Sequence, residues 1–168
     1  YGDWNYGYDK VTHTKQQAFV KIGTDYEKPH NWQSVTSFAE NAKYKTVVSY
    51  HDGTGRNRQV VTHLSSEKRT LIAETLYDYE GNPTVNILPV SLEGTNLSYH
   101  ENLNPFDNAN PFSKDNYDNG STSTALSTTS GAAQYYSPSN TSGGRYAERL
   151  PNAKGFVYSR TTYLRDGT

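Results

Sequence analysis

TVVSYHDGTGRNRQVVTHLSSEKRTLIAETLYDYEGNPTVNIL, residues 46 to 88, is the stretch whose reading decides the fold. Thr46 to Tyr50 is rich in β-branched and aromatic residues and runs into the turn-rich Asp52-Gly53-Thr54-Gly55-Arg56-Asn57. Gln59 to His63 then returns with the same composition, which predicts a hairpin. A second unit repeats the pattern: Leu71 to Tyr77 leads into Asp78-Tyr79-Glu80-Gly81-Asn82-Pro83, and Thr84 to Leu88 comes back. In such reversals an Asp accepts hydrogen bonds from the amides ahead of it, Gly81 takes φ > 0, and Pro83 restricts the exit.

Outward from this pair the signals weaken. Trp4 to Tyr8, Ala18 to Ile22 and Trp32 to Phe38 are expected strands, and FAENAKYK (Phe38 to Lys45), though it has the composition for one or two helical turns, is read as strand plus turn. Beyond Pro89, Asn102 to Asn119 is crowded with Asn, Asp and Pro, and Gly120 to Gly144 is rich in Ser, Thr and Gly. That is either a linker or an extended loop held against a neighbouring surface, with Phe106, Phe112, Tyr117, Tyr135 and Tyr136 as anchors. Lys154 to Tyr163 reads as a further strand, and Asp166-Gly167-Thr168 as the first half of a turn. The expected organisation is N-terminal strands over 1–31, a hairpin region over 32–101, an Asn/Ser/Gly-rich loop or linker over 102–153, and the start of another strand-turn unit over 154–168.

Composition limits the chemistry. Only 33% of the 168 residues are hydrophobic even with the fifteen Tyr counted, so the core is lean, yet aromatics at 13% disfavour simple disorder. Sixteen basic against seventeen acidic residues leave a net charge of −1, with no electrostatic footprint for nucleic acid. No apolar run approaches the roughly 20 residues of a membrane span. Absence of Cys excludes disulfides and thiolate chemistry. A start at Tyr1 and the lack of Met suggest a mature product or an internal fragment.

Catalytic and cofactor signatures are missing from the sequence. His13, His30, His51, His63 and His100 are scattered without metal-ligand spacing, although His51 and His63 could face each other across the first hairpin. Asp78 and Glu80 have the types of an acid/base couple, but a turn aspartate bonded to amides is the expected reading. Asp115, Asp118 and Asn119, with Asp107, faintly match a calcium loop that then lacks its closing Glu, since Leu126 stands there. No cofactor is expected. Trp4, Trp32, Tyr135 and Tyr136, with Tyr6 and Tyr8, are the candidates for stacking on sugar rings, which makes a carbohydrate-binding β module of a bacterial surface protein the rival to strand-face packing.

Three places share one chemistry: Tyr50-His51-Asp52-Gly53-Thr54-Gly55-Arg56, Tyr77-Asp78-Tyr79-Glu80-Gly81-Asn82-Pro83, and Tyr163-Leu164-Arg165-Asp166-Gly167-Thr168. The second resembles the tyrosine-aspartate (YD) repeat of Rhs-type proteins, roughly Tyr-Asp-x-x-Gly-Arg followed by a strand. Tyr77, Asp78 and Gly81 match, and Asn82 stands where Arg is usual; the first keeps Gly55-Arg56 but separates Tyr50 from Asp52. From Trp32 to Thr168 the order of blocks is similar to the region ahead of the repeat core in large Rhs/YD-repeat proteins of Bacteroidetes. The resemblance implies a secreted or cell-surface protein without catalytic residues of its own, and antiparallel hairpins stacked edge to edge as part of a β-shell with long irregular loops. It also implies a C-terminal toxin or effector enclosed by that shell, and export across the outer membrane by the type IX route. Partners would be the remainder of the parent polypeptide, its passenger, and export or surface-anchoring components.

Overall fold

The computed structural model describes residues 6–8 and 15–17 in their backbone, and 30–105, 112–117, 123–141 and 148–164. Two short strands, β1 (Tyr6–Tyr8) and β2 (Lys15–Gln17), pair antiparallel on their own. The main body is one antiparallel sheet of β3 (Asn31–Phe38), β4 (Tyr44–His51), β5 (Asn57–Leu64), β6 (Arg69–Tyr77), β7 (Pro83–Glu93) and β8 (Tyr158–Arg160). Its spatial order is the chain order. The architecture is thus mostly β, hairpins laid edge to edge with long irregular connections. Among the described residues α-helix is confined to α1 (Lys114–Tyr117) and α2 (Gly131–Tyr135), and no helix is long and apolar enough to cross a membrane.

Alternation explains why these segments pair as they do. In β4 the residues Thr46, Val48 and Tyr50 point to one face and are buried, and in β5 Gln59, Val61 and His63 do the same. The register puts Val48 opposite Val61 and Val61 opposite Ile72, so three fully buried aliphatic side chains meet across the sheet centre. Each contributes about 1.5–3 kcal/mol by leaving water. A slip of one residue would expose them all, which is what fixes the register. The expected reversal between Phe38 and Lys45 is present as a hairpin turn, with Asn41 and Ala42 at positive φ and the Ala39 amide donating to the Lys43 carbonyl.

That register also corrects an expectation. His63 lies opposite Thr46 and His51 opposite Asn57, so the two histidines do not face each other. They are separated by the length of the hairpin, His51 at its turn and His63 near its open end.

The connection from β7 to β8 forms a roof over the buried face. Phe112, Tyr117, Leu126, Ala132, Ala133 and Val157 pack against Leu76, Val85, Ile87 and Val90, while Leu97, Tyr99 and Leu103 pack on Val48, Tyr50, Val61 and Ile72. Parts of the Asn- and Ser-rich stretch are therefore interior structure. Gly131 shows how closely the roof fits: its amide donates to the Leu103 carbonyl at 2.7 Å, and a Cβ there would stand 2.8 Å from Leu103 Cδ1.

The strand expected over Lys154 to Tyr163 is shorter than its composition suggests. Only Tyr158–Arg160 joins the ladder, opposite Ile87, Asn86 and Val85. Before it, Gly155 at φ +84 turns tightly under Leu126, where a Cβ would meet the Leu126 carbonyl at 2.9 Å. Phe106, Ala18 to Ile22, and Trp4 with Asn5 at the start of the first expected strand, lie outside the described residues.

Candidate functional site

Two turns at one end of the sheet have the same construction. In the first, the Asp52 amide donates to the Arg56 carbonyl at 2.9 Å and the Gly55 amide to the Asp52 carbonyl at 2.9 Å. Asp52 Oδ1 accepts from the amides of Thr54 (2.9 Å) and Arg56 (3.0 Å), and Oδ2 from Arg56 Nε (2.8 Å). The second repeats each of these bonds: Asp78 amide to Asn82 carbonyl (3.1 Å), Gly81 amide to Asp78 carbonyl (3.2 Å), Asp78 Oδ1 from the amides of Glu80 (3.0 Å) and Asn82 (2.8 Å), and Oδ2 from Asn82 Nδ2 (3.1 Å). The motif is Asp-x-x-Gly followed by a side chain that can donate.

The glycine requirement sits at the fourth position. Gly55 (φ +81) and Gly81 (φ +90) occupy a conformation that L side chains rarely adopt. Gly53, in the place of the exposed Tyr79, is not among the positive-φ glycines and has open space around it, so it is not the residue that turns the chain. Pro83 is the first residue of β7, where its missing N–H costs the ladder nothing.

Aligned on the aspartates, Tyr77 corresponds to His51, and Tyr50 to Leu76. The apparent shared tyrosine is two positions with two roles. Tyr50 is fully buried and donates to the Leu97 carbonyl at 2.6 Å, anchoring the roof. Tyr77 lies on the other face, donates to the Asn57 carbonyl at 2.7 Å, and sits under the Arg56 guanidinium, 5.1 Å from ring centroid. Arg56 also reaches the second turn, since a Cβ on Gly81 would be 3.3 Å from its Nη1. Neighbouring turns are therefore in lateral contact.

Both aspartates are poor proton acceptors. Slight burial acts to raise the Asp52 carboxyl, but the hydrogen bonds from Thr54 and Arg56 override it and hold it well below the ordinary carboxylate range. For Asp78 the small burial effect is likewise overridden by Asn82, Glu80 and Gly81, and the pKa is lowered. Glu80, the other half of the acid/base pair considered above, is exposed at the turn tip. Asp78 is committed to its own turn.

A buried polar anchor joins the sheet to the roof four residues before the second turn. Glu74 Oε1 accepts from Gln59 Nε2 at 3.0 Å and Oε2 from Asn104 Nδ2 at 2.5 Å. Gln59 Oε1 accepts from the His100 amide at 2.8 Å, and Asn104 Oδ1 from Ser130 Oγ (2.7 Å) and the Ala132 amide (3.0 Å). Ser130 also caps α2 by accepting from the Ala133 amide. Burial pushes the Glu74 carboxyl above its ordinary value, against the hydrogen bonds from Asn104 and Gln59 and the charge of Arg58. No motif marks this cluster in the sequence. Parity was its one available signal, because Gln59 and Glu74 fall in phase with Val61, Ile72 and Leu76.

The remaining candidates are dispersed. Trp32 is at the margin of exposure on β3, 37% accessible. Tyr135 and Tyr136 meet edge to face at 5.0 Å and pack on the core, and Tyr136 donates to the Pro89 carbonyl at 2.8 Å. Burial, then the neighbouring Tyr135, raises the Tyr136 phenol above its ordinary value. Asp115 Oδ1 accepts from the Tyr79 hydroxyl at 2.8 Å. Asp107, Asp118 and Asn119 lie outside the described residues, as do Asp166 and Gly167, and among the described residues no group of three or more His, Cys, Asp or Glu could hold a metal ion. A 240 Å³ cleft opens beside the second turn, between Asp78, Tyr79 and Glu80 and the chain from Arg160 to Tyr163, with Tyr117 as its floor.

Comparison with known proteins gives one match. A family model described as a domain of unknown function (DUF6443) matches residues 22–163. No curated protein and no solved structure matches the chain.

Proposed function

We propose that this chain, which belongs to the DUF6443 family, is a non-catalytic structural segment of a secreted Rhs/YD-repeat surface protein. It forms or caps a β-shell around a C-terminal toxin or effector. The supporting observation is the repeated Asp-x-x-Gly turn, which has the same backbone bonds and the same amide-to-carboxylate bonds at residues 52–56 and 78–82, with a Thr54 hydroxyl bond added in the first, and is in lateral contact through Arg56. β4, β6 and β8 all run toward the turn end of the sheet, so a third turn after β8 would extend the same row. A hairpin of this kind gains stability chiefly from its neighbours, which suits a wall assembled by repetition.

The test is a longer polypeptide. The reading expects further Tyr-Asp-x-x-Gly-Arg units after Thr168 and a C-terminal passenger that resists protease until the turn row is broken by Asp→Ala changes. A following sequence without such units, or a passenger digested equally fast in either background, would sink it. Residence at the bacterial surface, export by the type IX route and the Bacteroidetes assignment belong to the same proposal. Surface biotinylation of intact cells tests the first of these.

A further inference from the structure

We infer that Asn96 is an acceptor for N-linked glycosylation and that the fold selects it over Asn140. The acceptor tripeptide is Asn-x-Ser/Thr with x other than Pro. The chain contains it at Asn96-Leu97-Ser98, Asn119-Gly120-Ser121 and Asn140-Thr141-Ser142, while Asn82-Pro83-Thr84 is barred by its proline. Asn119 lies outside the described residues. Such a tripeptide recurs by chance in a chain rich in Asn, Ser and Thr, so the assignment is carried by the surroundings of the two described asparagines.

The loop that holds Asn96 is fastened on both sides. Gly94, at φ +102, donates its amide to the Lys68 carbonyl at 3.2 Å, and its own carbonyl accepts from Thr70 Oγ1 at 3.0 Å. The Leu97 carbonyl accepts from the buried Tyr50 hydroxyl at 2.6 Å. Between these two points Asn96 is exposed. Its Oδ1 accepts from the Ser98 amide at 2.9 Å and from the Ser98 hydroxyl at 2.8 Å. A backbone amide can only donate, so Oδ1 is the inward atom of the carboxamide and Nδ2 the outward one. Nδ2 makes no hydrogen bond to a described residue. Asn140 is the reverse case: it is half-buried, and its Nδ2 donates to the Tyr135 carbonyl at 2.6 Å. There the atom that must bond the sugar is engaged in holding the roof.

The bonds to Ser98 also suit the chemistry. A carboxamide nitrogen is a weak nucleophile because its lone pair is shared with the carbonyl, and it becomes a strong one on losing a proton. Two donors on Oδ1 stabilise the negative charge which that oxygen takes when Nδ2 is deprotonated. In the transfer Nδ2 bonds C1 of a sugar diphosphate and the C1–O bond to phosphate breaks. The nucleotide or lipid diphosphate leaves with the bonding pair, and the Nδ2 proton passes to a carboxylate of the transferase. Asn96 follows the end of β7 that lies away from the Asp-x-x-Gly turns, so a glycan there leaves the turn row clear. The inference rests on the secreted reading above only for where the chain meets a transferase.

The test uses the folded 168-residue chain carrying Asn119→Gln. It is incubated with a soluble N-glycosyltransferase and UDP-glucose and, separately, with a solubilised oligosaccharyltransferase and a polyprenyl-diphosphate oligosaccharide, which distinguishes the two sources of activated sugar. Peptide mapping by mass spectrometry should place the sugar on Asn96 and leave Asn140 unmodified in whichever arm transfers, whereas peptides from the digested chain should accept at both. Asn96→Gln should lose the label from the folded chain, and Ser98→Thr and Asn140→Gln should keep it, with circular dichroism verifying that each variant is folded. Asn140 modified as fast as Asn96 in the folded chain overturns the inference. So does the absence of transfer to folded Asn96 by either enzyme while the digest accepts it, and so does a digest in which Asn96 is not accepted. The shell reading, tested by the sequence after Thr168, can fail without altering any of these outcomes.

Discussion

Glu74 and Asp78 stand four residues apart on one strand and its turn, and each carboxylate receives donors on both oxygens, yet their proton affinities move in opposite directions. Asp78 keeps water on its outer side, so amide donors stabilise its charge at little desolvation cost. Glu74 lies beneath the roof, where loss of water outweighs two amide donors and Arg58. Donor count alone therefore does not decide whether a carboxylate is comfortable. The turn end is built from bonds that any chain with Asp-x-x-Gly can make locally, whereas the anchor exists only because residues 59, 74, 100, 104 and 130 converge.

The largest effect should come from breaking the anchor. Both amides facing Glu74 have fixed orientations, because Gln59 Oε1 is held by the His100 amide and Asn104 Oδ1 by the Ala132 amide. Both must present N–H groups to Glu74. Glu74→Ala takes the carboxylate acceptor from Asn104 Nδ2 and leaves Gln59 Nε2 with the His100 carbonyl at 3.2 Å; it is expected to cost about 3 kcal/mol, read as a lower denaturant midpoint. Asp78→Ala removes three bonds at a wetter site and should cost about half of that. Equal losses would mean that the roof relaxes to let water reach Gln59 and Asn104.

The pH dependence sharpens the same contrast. Asp52 and Asp78 have folded pKa values below the unfolded value, so their stabilisation is present above the ordinary Asp range and is lost as pH falls through the lowered values. Glu74 has a raised folded pKa, so its protonated form favours folding; that contribution is complete below the ordinary Glu range and disappears as pH rises through the raised value. Stability should peak between these limbs. Asp52→Asn with Asp78→Asn should flatten the acid limb, and Glu74→Gln the other, in unfolding titrations run across pH. Should Glu74→Gln leave the upper limb intact, some other group titrates there.

Much of this was legible in advance at the turn end and little at the anchor. Alternation in Thr46 to Tyr50 and Gln59 to His63 gives the strands, and Asp with Gly three residues on gives the reversals, because both are local rules. The same rules left Gly53 and Gly55 equivalent, since two glycines in one turn look alike until φ is known, and equated Tyr50 with Tyr77, since one extra residue before Asp52 moves the ring to the other face. The roof was legible as a linker or as a loop held against a surface by aromatic anchors, of which Phe112 and Tyr117 are buried in the core. Its cohesion depends on Asn104 meeting Ser130 and Glu74 across 26 and 30 residues, a coincidence that no periodicity encodes.

A smaller effect separates the fourth position of the turn from the second. Gly81→Ala forces a Cβ into positive φ and toward Arg56 Nη1, and about 1–2 kcal/mol should be lost. Gly53→Ala meets open space at a position outside the positive-φ set and should change stability by less than about 0.5 kcal/mol. The two melting curves, compared in one buffer, distinguish the glycine that turns the chain from the one that merely accompanies it.

Below the loss at Gly81 should fall the exchange of the fifth residue. Arg56→Asn converts the first turn into the chemistry of the second, because Asn82 already donates to Asp78 from the equivalent position. What is lost is a half-exposed ion pair with Asp52 and the guanidinium over Tyr77. Exposed pairs are worth about 0.2–1 kcal/mol and exposed cation–π contacts about 0.5–1 kcal/mol, so a total near 1 kcal/mol is expected, shrinking as salt screens the pair. A double-mutant cycle with Tyr77→Leu isolates the lateral part: coupling between positions 56 and 77 means that one turn supports the next, whereas strict additivity would make each turn self-sufficient and remove the energetic reason for setting them side by side.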